Sequence, residues 1–140
     1  MRAVFSRFSC SKPEKFHTTV LKLRNIITGS ETLFTAVIDT GFDGYVMLTH
    51  EAYLSMQLSL SEAPEDEFPV YRTMAGTVVF RKSIAEAELS GITMLTEVIT
   101  PKHGMGKNLV GRRLLQHFTT LLHKNEKSCV GEAELNNGLG

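Results

Sequence analysis

From Phe16 onward, apolar and polar positions interleave: Val20, Leu21, Leu23 and Ile26 are set among Thr19, Lys22 and Arg24. Short-period alternation of this kind predicts a half-buried strand. Thr28-Gly29-Ser30-Glu31 is a turn signal, and residues 33–38 are apolar and β-rich again, so the pair reads as a hairpin whose second strand runs into Asp39. Tyr45-Val46-Met47-Leu48 is a further short strand. Thr49 then supplies an N-cap hydroxyl, with Glu51 in the first turn, for a short helix over residues 50–58 that buries Leu54 and Leu58. Residues 61–69 carry Glu62, Glu65, Asp66 and Glu67 together with two prolines and read as a solvated loop, with an acidic recognition site as the outside reading.

The second half of the chain repeats this rhythm. Residues 70–74 and 77–85 are β-rich and joined by Ala75-Gly76, where the glycine supplies the positive φ of a tight hairpin. The strand continues through residues 86–89, turns at Ser90-Gly91, and returns over residues 92–99. A glycine-containing loop at 102–108 leads into Leu109-Val110-Gly111-Arg112-Arg113-Leu114-Leu115, a strand that stops at a glycine and passes into a short helix. Residues 118–122 and 128–133 form a last hairpin around Lys124-Asn125-Glu126. Residues 1–14 lack periodicity and are expected to be a loosely held N-terminal arm, and residues 136–140 a tail. Many short strands, frequent turns and two brief helices predict a single mostly-β domain over residues 15–135, closed or sandwich-like. The order strand, glycine loop, short helix occurs around Asp39 and again around Gly111, a coarse internal pseudo-symmetry in which only the first copy has an aspartate.

Composition narrows the function classes. A chain of 140 residues with 42% hydrophobic and 21% charged residues has the make-up of a soluble globular domain with its own core. A formal net charge of +0 leaves no electrostatic footprint for nucleic acid or an anionic membrane. No apolar run reaches the ~20 residues needed to span a bilayer, and the first residues are too polar for a signal peptide. Cys10 and Cys129, distant and without C-x-x-C spacing, fit a reducing cytoplasm better than a disulfide.

Several chemistries are excluded by spacing. Gly104-Met105-Gly106-Lys107-Asn108 lacks the first glycine and the hydroxyl residue of a phosphate loop, and it precedes a strand where that motif needs a helix. His17, His50, His103, His117 and His123 show no metal-ligand spacing. No G-x-S-x-G elbow is present. Asp39, Asp43 and Gly44 lack the regular spacing and closing glutamate of a calcium loop.

What remains is Ala36-Val37-Ile38-Asp39-Thr40-Gly41-Phe42-Asp43-Gly44, where an apolar strand delivers one carboxylate onto a tight glycine loop. With the glycine hairpin near Gly76 and the stretch Asn108-Leu109-Val110-Gly111-Arg112-Arg113-Leu114-Leu115, this pattern resembles the retropepsin-like aspartic proteases of clan AA, in particular their short single-domain prokaryotic members. The resemblance covers roughly residues 33–133. It implies a retropepsin-like closed β-barrel with one or two short helices and a flap hairpin, acting on an extended peptide or protein without metal or cofactor. By the same resemblance, Asp39 is the catalytic carboxylate, Thr40 hydrogen-bonds across a subunit interface, and Gly41 lets the substrate backbone approach, with Phe42 completing the loop. Met74, Ala75, Gly76 and Thr77 form the flap tip. Gly44 and Gly111 support the loop, and Asp43 pairs with Arg112 in a buried structural salt bridge. Three positions depart from the family pattern. Position 42 is Phe where two-domain pepsins carry a hydroxyl, the hairpin tip lacks Ala-Asp-Gly, and the terminal segments show no recognisable counterpart of the retroviral dimer sheet.

Aspartic proteolysis needs two carboxylates sharing one proton, one to activate water and the other to protonate. This chain has one such loop, so an active site is expected only in a two-fold homodimer with Asp39 from each copy. The rival expectation is a non-catalytic peptide-binding or scaffolding module that keeps the fold without turnover.

Overall fold

The computed structural model describes the backbone of residues 2–11, 16–74, 76–123 and 127–136, and side chains within residues 16–118. Its strands are β1 (Arg2–Ser11), β2 (Thr18–Arg24), β3 (Glu31–Asp39), β4 (Val46–Met47), β5 (Val70–Thr73), β6 (Gly76–Leu89), β7 (Ile92–Pro101), β8 (Leu109–Gly111), β9 (Thr119–His123) and β10 (Lys127–Asn136). Two short helices interrupt them, α1 (His50–Ser55) and α2 (Arg112–Leu115).

The main sheet runs β2-β3-β8-β4-β7-β6-β5, and β2 also pairs with β6. That extra ladder, Lys22↔Glu88, Leu23↔Ala87 and Arg24↔Glu86, closes β2, β3, β8, β4, β7 and β6 into a barrel and removes their free edges. Closure follows from the residue pattern. Thr19, Leu21 and Leu23 on β2, Ala36 and Ile38 on β3, and Ala85, Ala87 and Leu89 on β6 face inward at period two and are buried. The small alanines let the walls approach while Leu21, Leu23, Leu89, Val98, Val110 and Leu114 fill the interior. Outside the closing ladder, Lys22 meets Glu88 at 2.7 Å and Arg24 meets Glu86 at 3.9 Å, opposite charges directly across the strands. The β6–β7 hairpin turns at Ser90 and Gly91 with φ of 52° and 76°, the two positive values of the turn type that matches strand twist.

The predicted hairpin of β2 and β3 is present in continuous register from Thr18↔Val37 to Arg24↔Glu31. Thr49 caps α1 as expected, its hydroxyl accepting from the Ala52 amide at 3.1 Å. The helix is shorter than expected and buries a different face. Gln57 adopts φ 55°, which ends the helical run, and the inward positions are Tyr53 and Met56 while Leu54 stays exposed. Leu58 is buried, as expected, but from a 3-10 turn over Leu58–Ser61.

The acidic stretch is not simply a solvated loop. Glu62 accepts from the buried Tyr53 hydroxyl at 2.7 Å and from Arg81 Nε at 2.8 Å, with the Arg81 guanidinium 5.3 Å from the Tyr53 ring centre. Burial first, and then the bond to Glu62, raise the pKa of the Tyr53 hydroxyl above its ordinary value.

The largest departure lies at the termini. Residues Arg2–Ser11, expected to be loosely held, form β1 and pair antiparallel with β10, which pairs with β9, giving a separate three-stranded sheet. The last hairpin is present as β9 and β10, while Lys124, Asn125 and Glu126 lie outside the described residues. Cys10 and Cys129, far apart in sequence, are direct cross-strand partners in β1 and β10. Among the described residues, no helix is long and apolar enough to cross a membrane.

Candidate active site

The carboxylate is presented by strand geometry. Along β3, Ala36 and Ile38 point into the core, so Val37 and Asp39 point to the other side of the barrel wall and are half-buried. β8 runs parallel to β3 with Val37↔Leu109, Ile38↔Val110 and Asp39↔Gly111 in register. Asp39 therefore ends its strand beside a glycine that offers no side chain. The second copy of the strand–loop–helix pattern is thus the immediate neighbour of the first.

The loop after Asp39 is fixed by its own amides and by the start of α2. Gly41 N donates to Asp39 Oδ1 at 3.0 Å, and Phe42 N donates to the Asp39 carbonyl at 3.2 Å. A side chain at residue 41 would place its Cβ 3.3 Å from Asp39 Oδ1, so glycine keeps the carboxylate where the loop amide can reach it. Gly111 N donates to the Tyr45 carbonyl at 2.8 Å, Arg112 N to the Phe42 carbonyl at 2.9 Å, and Arg113 N to the Gly44 carbonyl at 3.0 Å. These three bonds tie the loop to β8 and α2. Thr40 lies exposed beside Asp39 in the single chain.

Gly44 and Gly111 are needed for a specific reason. The Phe42 ring lies over both: a Cβ at residue 44 would stand 2.4 Å from Phe42 Cζ, and one at residue 111 would stand 2.6 Å from Phe42 Cδ2 and 2.4 Å from the Gly44 carbonyl oxygen. None of the three distances can stand without a shift of the neighbouring atoms.

Asp43 forms the expected bridge to Arg112, with Nη2 3.0 Å from Oδ1, but Arg113 Nε donates to the same oxygen at 3.1 Å. The bridge is not buried as expected; the three side chains are 49%, 63% and 54% exposed. Both arginines stand at the start of the four-residue helix α2, and each keeps more than half of its side chain exposed. The two guanidiniums hold the Asp43 carboxyl below the usual carboxylate range, Arg113 contributing most. Arg113 was not singled out from the sequence, although its adjacency to Arg112 was visible.

The expected flap is the hairpin of β5 and β6, in register from Val70↔Val79 to Thr73↔Gly76. Gly76 takes φ 115°, as its position required, Met74 and Thr77 are exposed, and Ala75 lies outside the described residues. Tyr71 of β5 meets Phe42 edge-on at 6.4 Å between ring centres and meets Phe80 at 5.2 Å. The hairpin base is thereby set against the Asp39 loop. No sequence signal had linked Tyr71 to Phe42.

No protein-family model matches the chain, and no curated protein matches it in sequence. Solved structures do match its architecture. EIAV protease, in complex with the inhibitor HBY-793, aligns with a TM-score of 0.56 at 19% identity, over 74% of this chain and 88% of its own. A retropepsin-like aspartic protease from Rickettsia conorii aligns with a TM-score of 0.58 at 12% identity, over 94% of each chain. The fold is retropepsin-like. A retropepsin-like barrel in this chain thus carries a single Asp-Thr-Gly loop, with Gly111 at the pseudo-symmetric place.

Proposed function

We propose that this protein is an aspartic endopeptidase that works as a homodimer. The observation that carries the reading is Asp39 at the end of β3, its carboxylate held by the Gly41 amide on a loop whose Phe42 meets Tyr71 of the β5–β6 hairpin, in a fold shared with aspartic proteases. Two Asp39 carboxylates related by a two-fold axis share one proton and hold a water between them. The unprotonated carboxylate takes a proton from the water as it attacks the peptide carbonyl carbon, and the protonated one donates its proton toward the carbonyl oxygen. Collapse of the resulting diol breaks the C–N bond as the amine leaving group receives a proton, which gives an acid and an amine and restores the shared proton. Thr40, exposed next to Asp39, bonds its counterpart across the axis in this reading, and the substrate lies extended along the flap strand. The chemistry takes place within the cytoplasm and requires no metal or cofactor.

An unbiased peptide library, incubated with wild type and with Asp39→Asn, tests this directly. Cleavage by wild type that is lost in the variant supports the proposal. Equal cleavage by both, or none by either at any pH, supports a peptide-binding or scaffolding module.

A further inference from the structure

The aromatic ring at position 42 belongs to the Asp39 loop, and its neighbours fix how it is held. It follows Asp39 by three residues on the same loop, and its ring occupies the volume above Gly44 and Gly111 that any side chain at those positions would take. Its other edge faces Tyr71 on the hairpin base at 6.4 Å and an interplanar angle of 63°. Tyr71 is in turn braced by Phe80 at 5.2 Å and 84°. Edge-to-face rings at these separations are in contact, so no further side chain fits between them. Three aromatic residues thus run from the floor of the loop to the base of the flap. Phe42 is only half-buried, so part of the residue remains accessible.

We propose that Phe42, backed by Tyr71, is a selectivity wedge: it fills the space beside Asp39 so that the substrate residue lying over position 42 has a small side chain. The wedge is held by packing on two glycines and by a second ring, which makes it a fixed wall. Gly, Ala and Ser pass it, whereas Val, Leu and Phe meet the ring. This inference rests on the endopeptidase reading and adds the class of substrate that the site takes.

The test is a position-by-position cleavage profile from the same peptide library for wild type, Phe42→Ala and Phe42→Leu, with Asp39→Asn marking background. Wild type is expected to show one position near the scissile bond restricted to Gly, Ala and Ser. Phe42→Ala is expected to raise kcat/KM for Val- and Leu-bearing peptides at that position by about tenfold relative to Ala-bearing ones, leaving the other positions unchanged. Phe42→Leu keeps an apolar side chain on Gly44 and Gly111 and is expected to shift the same position less; it decides the matter if Phe42→Ala fails to fold. A uniform loss of rate with an unchanged profile means that the ring only supports the loop, and overturns the wedge while leaving the endopeptidase reading intact. No Asp39-dependent cleavage in wild type refutes that reading, and the wedge with it.

Discussion

Replacing Gly111 with alanine isolates the packing that joins the barrel to the candidate site. Residue 111 has φ −99°, a conformation that alanine adopts freely. If backbone entropy decided the outcome, the substitution would stabilise the protein by about 0.4–1 kcal/mol. Sterics oppose this. The new Cβ would stand 2.4 Å from the Gly44 carbonyl oxygen, 2.6 Å from the Phe42 ring and 2.9 Å from the Gly44 carbonyl carbon. Two of those neighbours are backbone, and the same Gly44 oxygen accepts from Arg113 N while Gly111 N donates to Tyr45. Relief therefore requires movement of nearly an ångström in a segment tied on both sides. Overpacking costs roughly 1–3 kcal/mol, and weakening one or two hydrogen bonds adds about 1 kcal/mol each. The net expectation is a loss of about 3 kcal/mol, or near 10 °C in Tm at roughly 3–4 °C per kcal/mol for a chain of this length. Urea titration and scanning calorimetry measure it. A variant as stable as wild type, or more so, refutes the packing of Phe42 and Gly44 on Gly111.

Two other substitutions and one treatment probe separate contacts in the fold. Gly41→Ala meets only Asp39 Oδ1, at 3.3 Å, so stability should change by less than about 1 kcal/mol while the displaced carboxylate lowers kcat/KM by about tenfold or more; equal losses in both would show a folding defect. Tyr53 has its pKa raised in the folded state by burial and by Glu62, so the stability it contributes is full below the unfolded value near ~10 and is lost as pH rises beyond it. Tyr53→Phe should therefore reduce the fall in stability by about 1.4 kcal/mol per pH unit between roughly pH 10 and 11.5, and parallel slopes would refute the assignment. Cys10 and Cys129 are Cα partners across β1 and β10, a separation that a disulfide spans. Incubation with oxidised glutathione should link them within one chain, read as a cross-linked peptide in non-reducing mass mapping, and mixed disulfides at both sites would refute the β1–β10 register.

The parts of the fold that were legible from sequence are those where one physical rule acts locally. The β2–β3 hairpin shows itself by alternation, the α1 start by Thr49, and the β5–β6 turn by Gly76. Asp39 on its glycine loop was legible for the same reason, since a strand pattern ending in Asp-Thr-Gly is contiguous. What could not be read depends on distant partners. Glu62 looks like one of four loop acids until Arg81 and Tyr53 are brought to it. Asn25 gives no local sign that, fully buried, its side-chain amide donates to the carbonyls of Met56 and Gln57 while its oxygen accepts from Ile27 and Thr28. The same holds for β1, whose irregular pattern hides a strand paired with the far end of the chain. Leu54 turns outward because the face of α1 that is buried is set by what the helix packs against, and that contact takes Tyr53 and Met56.

Subunit mixing tests whether the Asp39 loop acts only when it meets its own copy. Wild type and Asp39→Asn, exchanged to equilibrium in equal amounts at fixed total concentration, form mixed dimers with one carboxylate of the pair. If both Asp39 side chains are needed, peptide cleavage falls with the square of the wild-type fraction, to about a quarter of its undiluted value. A fall to one half, linear in wild-type fraction, would mean that each chain works alone and would contradict the account.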